Sequence, residues 1–334
     1  MRIRSKPVKW DDLRMEFISK CTADTISNAA QALIDGHLVA FPTETVYGLG
    51  ADATNEIAIS RIYSVKGRPT DHPLIVHISS INKIGDWATD IPDYAIKLAR
   101  EFWPGPMTLI LPKSKIAKDF ITGGQNSVGL RVPSQPIALA LLKKFEELGG
   151  KGVAAPSANK FGAVSPTTAE DVNEELAKFL LSNDLVLNGG PCQIGIESTI
   201  IDCTLPEPTI LRPGAITSEM INKSIKIDRI SSNTKSNIRV SGSLKSHYSP
   251  KAAVLIDLPP KPGDGFIAMN DNPTPIGAIR LASPLSVDEY AKDLYKALRL
   301  GDKKGLERII IIQPDGSGLA EAIRDRLNKS ADNG

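Results

Sequence analysis

The first part of the chain alternates between amphipathic helices and short apolar strands. Apolar residues recur at helical spacing over residues 25–35, with Asp24 as the predicted N-cap and Gly36 as the residue that follows the C-cap. The next run, residues 38–41, is short and apolar and ends at a proline, as a buried strand would. The same order recurs in predicted helices at residues 57–65, 94–102 and 137–148 and predicted strands at residues 73–78, 107–111, 128–132 and 152–155. This alternation, without a long repeat, predicts an α/β domain with a mixed sheet.

The pattern changes after Gly214. Residues 222–250 contain six basic residues and one acidic residue and are rich in Ser and Asn, which predicts a basic linker. Beyond it lie four predicted strands, within residues 253–258, 265–270, 277–282 and 308–313, and two predicted helices, at residues 287–300 and 319–327. Ser286 and Glu289 have the spacing of a capping box at the start of the first of these helices. These strands and helices together predict a smaller Rossmann-like α/β domain that lacks the glycine fingerprint of a nucleotide-binding turn.

The predicted organisation therefore has three parts: a first domain over residues 1–217, a linker over residues 218–250, and a small domain over residues 251–334. A length of 334 residues favours two domains. The chain is 41% hydrophobic and 23% charged, which excludes a disordered or fibrous protein. Its net charge of +2 is too small for the overall field to attract nucleic acid or a membrane, so any anion site must be local. With no apolar targeting segment and three cysteines without a CxxC pair, we expect a cytoplasmic protein with reduced thiols.

Polar loops follow several of the predicted strands, where open α/β sheets place their ligand sites. The segment PTETVYGLG (residues 42–50) follows the first strand and has more polar groups than a tight turn needs, although a capped turn is the alternative. Lys66 and Arg68 lie one residue apart in a Gly/Pro loop, a spacing that predicts a cationic clamp for an oxyanion or a solvated basic loop. Ser157 and Asn159 follow another strand in APSAN, and a helix expected to begin near residue 166 could bind an anion at its N-terminus.

Several residues carry two interpretations. Arg131 lies within an apolar strand and must find an anion, either a structural carboxylate or a substrate carboxylate. His72 and His77 have a spacing that zinc ligands can adopt, but no third ligand lies nearby, so a hydrogen-bonding role suits His77 better. Cys192 has no evident partner histidine for nucleophilic catalysis.

The chain lacks the motifs HExxH, GxSxG and GxxxxGK[ST], which disfavours zinc peptidases, serine hydrolases and P-loop NTPases. The remaining candidates are rich in cations and poor in bases: Lys66, Arg68, Arg131, Ser157, Asn159 and Arg212. Such a set fits a polyanion and a phosphoryl or nucleotidyl transfer that works by positioning and charge stabilisation.

The order of the motifs resembles that of the YrdC-like threonylcarbamoyl-adenylate synthases. They are PTETVYGLG, KGRPTDHPLIVH, WPGPMTLIL, VGLRVP, APSANKFGAVSPT, GGPCQIGIESTIID and LRPG, and they cover about residues 22–217. The later segments HYSP, DEYAKDLYKALR and GLAEAIRDRL resemble the long, two-domain form of the family. The resemblance implies an open twisted mixed sheet with helices and a large cationic cavity, followed by a smaller α/β domain.

The resemblance also assigns residues. It implies catalytic roles for Lys66, Arg68, Ser157 and Asn159. The ATP contacts that it implies are Lys66, Arg68, His72, Ser127, Ser157, Ser165 and Arg212. The L-threonine contacts that it implies are Thr45, His77, Arg131, Ser198 and the backbone of Ala155. In the linker, which would act as a lid or only as a passive tether, Lys245 aligns with a tyrosine that reaches ATP in some relatives, and His247 and Tyr248 belong to the family's linker motif.

The implied activity converts L-threonine, bicarbonate and ATP to threonylcarbamoyl-AMP and pyrophosphate, with Mg²⁺ entering through the ATP phosphates and no tightly bound organic cofactor. The product would pass to a tRNA threonylcarbamoyl transferase, with a weak tRNA contact conceivable and no membrane involved. Two alternatives stay open. One is a double-stranded RNA-binding module without ATP turnover, and the other is a carbamoyl-adenylate enzyme of hydrogenase maturation, whose additional zinc-finger and acylphosphatase segments are not visible here.

Overall fold

The computed structural model describes residues 18–228, 230–232, 238–242 and 248–331. In this described part, the strands form one sheet of eleven strands and one of four. The strands are β1 (Ile18–Lys20), β2 (Val39–Phe41), β3 (Gly48–Asp52), β4 (Ile75–His77), β5 (Met107–Pro112), β6 (Ser127–Arg131), β7 (Val153–Ala154), β8 (Leu185–Asn188), β9 (Thr199–Asp202), β10 (Thr209–Arg212), β11 (Ser231–Ser232), β12 (Ala253–Ile256), β13 (Gly265–Ile267), β14 (Ile279–Ala282) and β15 (Arg308–Ile311).

Ten α-helices accompany the strands in the described part. They are α1 (Ala23–Ile34), α2 (Glu56–Lys66), α3 (Ile84–Trp87), α4 (Asp93–Phe102), α5 (Asp119–Thr122), α6 (Pro136–Glu147), α7 (Ala169–Leu176), α8 (Ser218–Ile225), α9 (Val287–Lys303) and α10 (Leu319–Ala331). No helix among the described residues has the length and apolar character that crossing a bilayer requires.

The larger sheet is mixed, as the sequence predicts, and runs in the order β1-β8-β2-β3-β7-β4-β6-β5-β9-β10-β11. Its central strands β4 and β6 are parallel, with His77 opposite Arg131 in the register. The neighbouring strand β7 is antiparallel to β4 and continues into Ala155. Ala155 therefore lies beside Ile75 at the start of β4, while His77 and Arg131 lie at the ends of β4 and β6, and all four residues line the cavity described below.

The sequence patterns locate most helices correctly but misplace two starts. Thr22, not Asp24, is the N-cap of α1, because its hydroxyl accepts from the main-chain N–H of Thr25 while the Thr25 hydroxyl accepts from Thr22 N. The helix expected near residue 166 begins at Ala169, and the Asp171 carboxylate accepts from the N–H groups just before it. The Asp171 carboxylate, which belongs to the helix itself, therefore already binds the N–H groups at which the sequence predicts an anion site.

The smaller sheet is entirely parallel, in the order β12-β15-β13-β14, and α9 and α10 pack on it. The two domains share one apolar core, in which Val46, Val164 and Ile196 of the first domain join the buried side chains of α9 and α10. At Gly195 the main chain of Lys292 in α9 comes so close that a Cβ on this glycine would lie 2.5 Å from the Lys292 Cα. The main chain of the smaller domain is therefore in direct contact with the segment that leads into β9.

The predicted linker is partly folded onto the first domain. Helix α8 packs against α4, and β11 extends the larger sheet by pairing in parallel with β10. Further along, the Arg239 guanidinium donates to the carbonyls of Asp71 and Gly123, at 3.1 and 2.7 Å. This segment therefore contacts the first domain at several points. The boundaries predicted for the three parts of the chain stay predictions.

Candidate active site

A cavity of about 540 Å³, including its open mouth, lies between the larger sheet and the linker. The residues around it come from seven loops or strands of the first domain and from the linker. Its lining includes Thr43, Thr45, Arg68, His77, Arg131, Ala155, Ser157, Glu197, Ser198, Arg212, Ser241, Gly242 and Tyr248. Eight of the sequence-predicted site residues before the linker are brought together here, and three of them are arginines, so the cavity is cationic.

Arg131 and His77 form one end of the cavity. The Arg131 guanidinium donates to Glu44 Oε1 at 2.6 Å and to Thr45 Oγ1 at 3.0 Å. Glu44 is thus the structural carboxylate that the sequence left as one of two alternatives. Burial, and then the charge of Arg131, lower the pKa of His77 to about 3, so its imidazole is neutral. Arg131 Nε and His77 Nδ1 are both buried and have no hydrogen-bond partner among the described residues.

Two unpartnered buried nitrogens at one end of a cavity are unusual, because most buried polar groups are hydrogen-bonded. Thr45 bonds Arg131, and Ser198 and the backbone after β7 also line the cavity. The Ser198 hydroxyl lies 2.8 Å from the Thr108 hydroxyl and 3.2 Å from Arg212. This end offers both donors and acceptors to a small polar ligand.

Arg68 and Arg212 form the other end, and both contact the linker residue Ser241. Arg68 donates to the Ser241 hydroxyl at 3.1 Å, and Arg212 donates to the Ser241 carbonyl at 2.9 Å. Burial lowers the pKa of Arg68 to about 10 and also lowers that of Arg212, but both groups stay charged near neutral pH. Ser157 lines the wall beside them. This end of the cavity can take an anionic group of high charge.

Lys66 and Asn159 are not in the cavity wall but directly behind it. The Lys66 ammonium donates to the carbonyls of Ser157 and Asn159, at 2.6 and 2.5 Å. Burial, and then the charge of Arg68, hold the pKa of Lys66 well below its usual range. The Asn159 amide donates to the carbonyls of Lys160 and Ala163. Both residues therefore shape the Ser157–Asn159 turn.

The other predicted ATP contacts also lie outside the lining. His72 packs edge-on against Phe161, and its carbonyl accepts from Arg68 at 3.4 Å. Ser127 lines a small adjoining pocket together with Arg239 and Ser241. Ser165 is buried behind the wall, where its hydroxyl donates to Glu197 at 2.6 Å.

The linker contributes Ser241, Gly242 and Tyr248 to the cavity. The predicted linker residues Lys245 and His247 lie outside the described residues. Tyr248 is fully buried, stacks on Tyr295 of α9, and its carbonyl accepts from the Ser330 hydroxyl of α10. The smaller domain therefore anchors the end of the linker.

Glu197 is the site residue that sequence reasoning missed. It is the one carboxylate among the described lining residues, and it precedes Ser198, which the sequence did identify. Burial alone would raise the pKa of Glu197, but the charges of Arg326 and Arg212 and hydrogen bonds from Ser165 and Tyr295 lower it to about 2. Arg326 lies 129 residues further along the chain, so only the folded structure shows this pairing.

The alternatives for other chemistry find little support. Burial raises the pKa of the Cys192 thiol far above the range in which a thiolate forms, so this cysteine is a poor nucleophile. In the part of the chain that the structure describes, no group of three His, Cys, Asp or Glu side chains could hold a metal ion.

Fold and site together define an α/β protein with a cationic ligand cavity, whose wall residue Glu197 is bonded by a second, smaller domain. The family model described as telomere recombination, covering Sua5, YciO and YrdC proteins, matches residues 31–214. The model described as the C-terminal domain of threonylcarbamoyl-AMP synthase matches residues 216–332. The chain belongs to the Sua5/YrdC family, in its long form with both domains.

Individual relatives match over most of their length. The threonylcarbamoyl-AMP synthase of Pyrococcus abyssi is 39% identical over 322 residues, which cover 91% of this chain and 93% of that protein. The Bacillus subtilis synthase is 36% identical over 327 residues and 92% of each chain. A solved structure of P. abyssi Sua5 complexed with L-threonine covers 94% of this chain and 96% of its own, with a TM-score of 0.83 and 36% identity. The family and the α/β fold predicted from the sequence are confirmed.

Proposed function

We propose that this chain makes threonylcarbamoyl-AMP and pyrophosphate from L-threonine, bicarbonate and ATP. The observation that carries the proposal is the arrangement of one cavity with two different ends. Arg131 Nε and His77 Nδ1, in one part of the wall, have no hydrogen-bond partner among the described residues. Arg68 and Arg212, which both bond Ser241, supply positive charge in another part. An amino acid with its carboxylate suits the first end, and a triphosphate suits the second.

At the threonine end, we assign contacts to Thr45, His77, Arg131, Ser198 and the backbone of Ala155. Glu44 already accepts one N–H of Arg131, so the guanidinium is held in one orientation before a ligand arrives. A guanidinium fixed in this way can bind a carboxylate without losing its own side-chain freedom, which favours affinity. The neutral His77 imidazole adds a hydrogen-bonding atom without adding charge.

At the nucleotide end, Arg68, Ser157 and Arg212 are the direct candidates, and Lys66 and Asn159 support the turn that carries Ser157. The threonine amine must be neutral to form a carbamate, either by adding to CO₂ with release of a proton or by reacting with bicarbonate with loss of water. The carbamate oxygen then attacks the α-phosphorus in line, and pyrophosphate leaves as charge moves onto it. Cations already fixed around the phosphates stabilise that charge, so no residue of the chain need become a covalent nucleophile.

Magnesium is expected to enter with ATP and not to reside on the protein. Glu197 is the one carboxylate among the described lining residues, and it already accepts hydrogen bonds from Ser165, Tyr295 and Arg326. Phosphate oxygens are therefore the expected ligands of the ion, which would supply further charge stabilisation when bound.

The activity test is an incubation of the protein with ATP, Mg²⁺ and bicarbonate, with and without L-threonine. We expect pyrophosphate to form only when threonine is present, together with an adenylate whose mass is that of threonylcarbamoyl-AMP. Release of ADP, or pyrophosphate formation that does not depend on threonine, would contradict the proposal. RNA binding with a steep salt dependence and no ATP turnover would support the RNA-binding alternative instead.

We propose further that the linker is a lid over the nucleotide. Ser241 bridges Arg68 and Arg212, and Gly242 has a φ of +79°, a left-handed conformation that favours glycine. A Cβ at Gly242 would lie 2.2 Å from the Tyr248 hydroxyl. A basic segment in this position can lie over an anionic ligand and keep water from a hydrolysable adenylate.

We expect ATP with threonine to protect the amides of residues 238–242 and Tyr248 from hydrogen exchange. Gly242→Ala should weaken ATP binding by roughly tenfold, because an L-residue in the left-handed region costs about 1–2 kcal/mol. Gly263→Ala is a matched control, since Gly263 has a φ of +91° but nothing within 4 Å of its Cβ position. Unchanged exchange at saturating ligand, or equal effects of the two substitutions, would leave the linker as a tether.

The destination of the product remains part of the proposal. A threonylcarbamoyl adenylate is an activated acyl donor, so a tRNA threonylcarbamoyl transferase that consumes it is the expected partner, and a weak contact with tRNA would assist delivery. A cytoplasmic location suits this role, and the three cysteines are free thiols, as is usual in a reducing compartment.

A further inference from the structure

Helix α10 of the smaller domain carries a fully buried arginine that reaches the cavity wall. Arg326 Nε donates to Glu197 Oε2 at 3.0 Å, and Arg326 also donates to the Asp325 carboxylate at 2.6 Å. Tyr295 of α9 donates to the same Glu197 oxygen at 2.8 Å. Two helices of the smaller domain thus hold one carboxylate of the catalytic cavity.

This carboxylate has one hydrogen-bonding position left. A carboxylate offers about four lone-pair positions on its two oxygens. Two positions on Oε2 are taken by Tyr295 and Arg326, and one on Oε1 is taken by Ser165. Glu197 lines the cavity, and among the described residues only the Ser165 hydroxyl bonds Oε1, which leaves its second position for a ligand. An ionised carboxylate only accepts hydrogen bonds, so it selects N–H or O–H groups and disfavours phosphate.

We propose that Arg326 is a positioning residue of the active site: it fixes Glu197 in the cavity wall, where the free lone pair of Oε1 accepts a hydrogen bond from the substrates. The donor is an N–H or O–H group, which either the amine of threonine or a ribose hydroxyl of ATP can supply. The smaller domain then contributes directly to substrate binding. This inference rests on the proposed substrates.

Buried ion pairs also serve structure, and the test must separate the two roles. Breaking such a pair from one side leaves an uncompensated charge and destabilises the protein, whereas neutralising both partners is often harmless to stability. Arg326→Met alone is therefore expected to lower the melting temperature and the activity together. The double variant Glu197→Gln with Arg326→Met should regain the melting temperature but keep kcat/KM at least about tenfold below the wild type, the scale of one lost charge-assisted hydrogen bond.

Recovery of activity together with stability in the double variant would show that the pair is only structural and overturn the proposal. If the double variant does not fold, Glu197→Gln alone decides, assayed at a temperature well below its own lowered melting temperature: kcat/KM lowered about tenfold in the folded variant supports the proposal, and wild-type activity overturns it. Lys303→Met is the control for domain docking, because the Lys303–Glu174 ion pair, at 2.8 Å, joins the same two domains on the surface. An equal loss of activity in this control would also overturn the role given to Arg326.

The nature of the donor follows from substrate variation. If a ribose hydroxyl is the donor, 2′-deoxy-ATP or 3′-deoxy-ATP should raise KM in the wild type but not further in Glu197→Gln. If the threonine amine is the donor, the Glu197→Gln variant should lose threonine affinity in calorimetry and treat both nucleotides alike. If Glu197→Gln weakens the binding of threonine and of ATP equally, the proposal is overturned. A wild type without threonine-dependent pyrophosphate would instead count against the proposed function itself.

Discussion

Replacing Lys66 with alanine is expected to lower turnover by about 10² or more, the scale for one preorganised charge-stabilising contact. The ammonium lies directly behind the cavity wall, where it bonds the carbonyls of Ser157 and Asn159. The variant loses both hydrogen bonds and with them the support of the turn that presents Ser157 to the cavity. Steady-state kinetics with ATP as the varied substrate measure the effect.

Lys160→Met is the control for this change. Lys160 follows the Ser157–Asn159 turn and also donates to a carbonyl, but its partner is Val65, at 2.6 Å, outside the turn that carries Ser157. We expect its turnover to stay near that of the wild type. Wild-type turnover in Lys66→Ala would refute the catalytic role, and thermal unfolding measured in parallel would show whether a loss of activity reflects a loss of folding.

Arg131→Lys is expected to weaken threonine binding by roughly 10- to 100-fold, because a charge-assisted hydrogen bond contributes about 1.5–3 kcal/mol. A lysine has one ammonium and cannot hold Glu44, Thr45 and a ligand carboxylate in the geometry of a planar guanidinium. ATP binding should change much less, since Arg68 and Arg212, which we assign to ATP, bond the linker residue Ser241, whereas Arg131 bonds Glu44 and Thr45. Titration calorimetry with each ligand separately measures both affinities.

The same substitution at Arg61 supplies the control. Arg61 makes a bidentate pair with the buried carboxylate of Asp184, at 2.9 and 2.6 Å, and does not line the cavity. Arg61→Lys should leave both affinities unchanged. An equal loss of threonine and ATP affinity in Arg131→Lys would mean that Arg131 only supports the structure through Glu44.

The sequence predicts those parts of the molecule whose signal is local. Helix α6 and strand β5 follow from periodicity and hydrophobic runs, and Gly36 follows the C-cap of α1 with a left-handed φ of +82°. Strands such as β9 and β10 are four residues each and are bounded by Gly- and Pro-rich segments, so their pattern is too short to stand out. Their place is set by pairing with distant strands.

In the candidate site, too, the sequence predicts only what depends on local signals. The motif positions that line the cavity were identifiable one by one, but their partners were not. Arg131 requires an anion on physical grounds, yet Glu44 lies 87 positions away, and the sequence could not choose between it and a substrate. Glu197 lacked any local signal, because what makes it part of the site is a buried arginine in the other domain.

The contact at Gly195 limits how freely the two halves of the chain can be recombined. The main chain of α9 occupies the space that any side chain at Gly195 would need. The loop that leads to Glu197 and Ser198 therefore has its shape set by the helix outside it. If the first domain were replaced by that of a relative without the smaller domain, its loop at the position of Gly195 would have no covering helix and would be shaped by contact with solvent. Exchange of modules within this family has to transfer the loop and its covering helix as one unit.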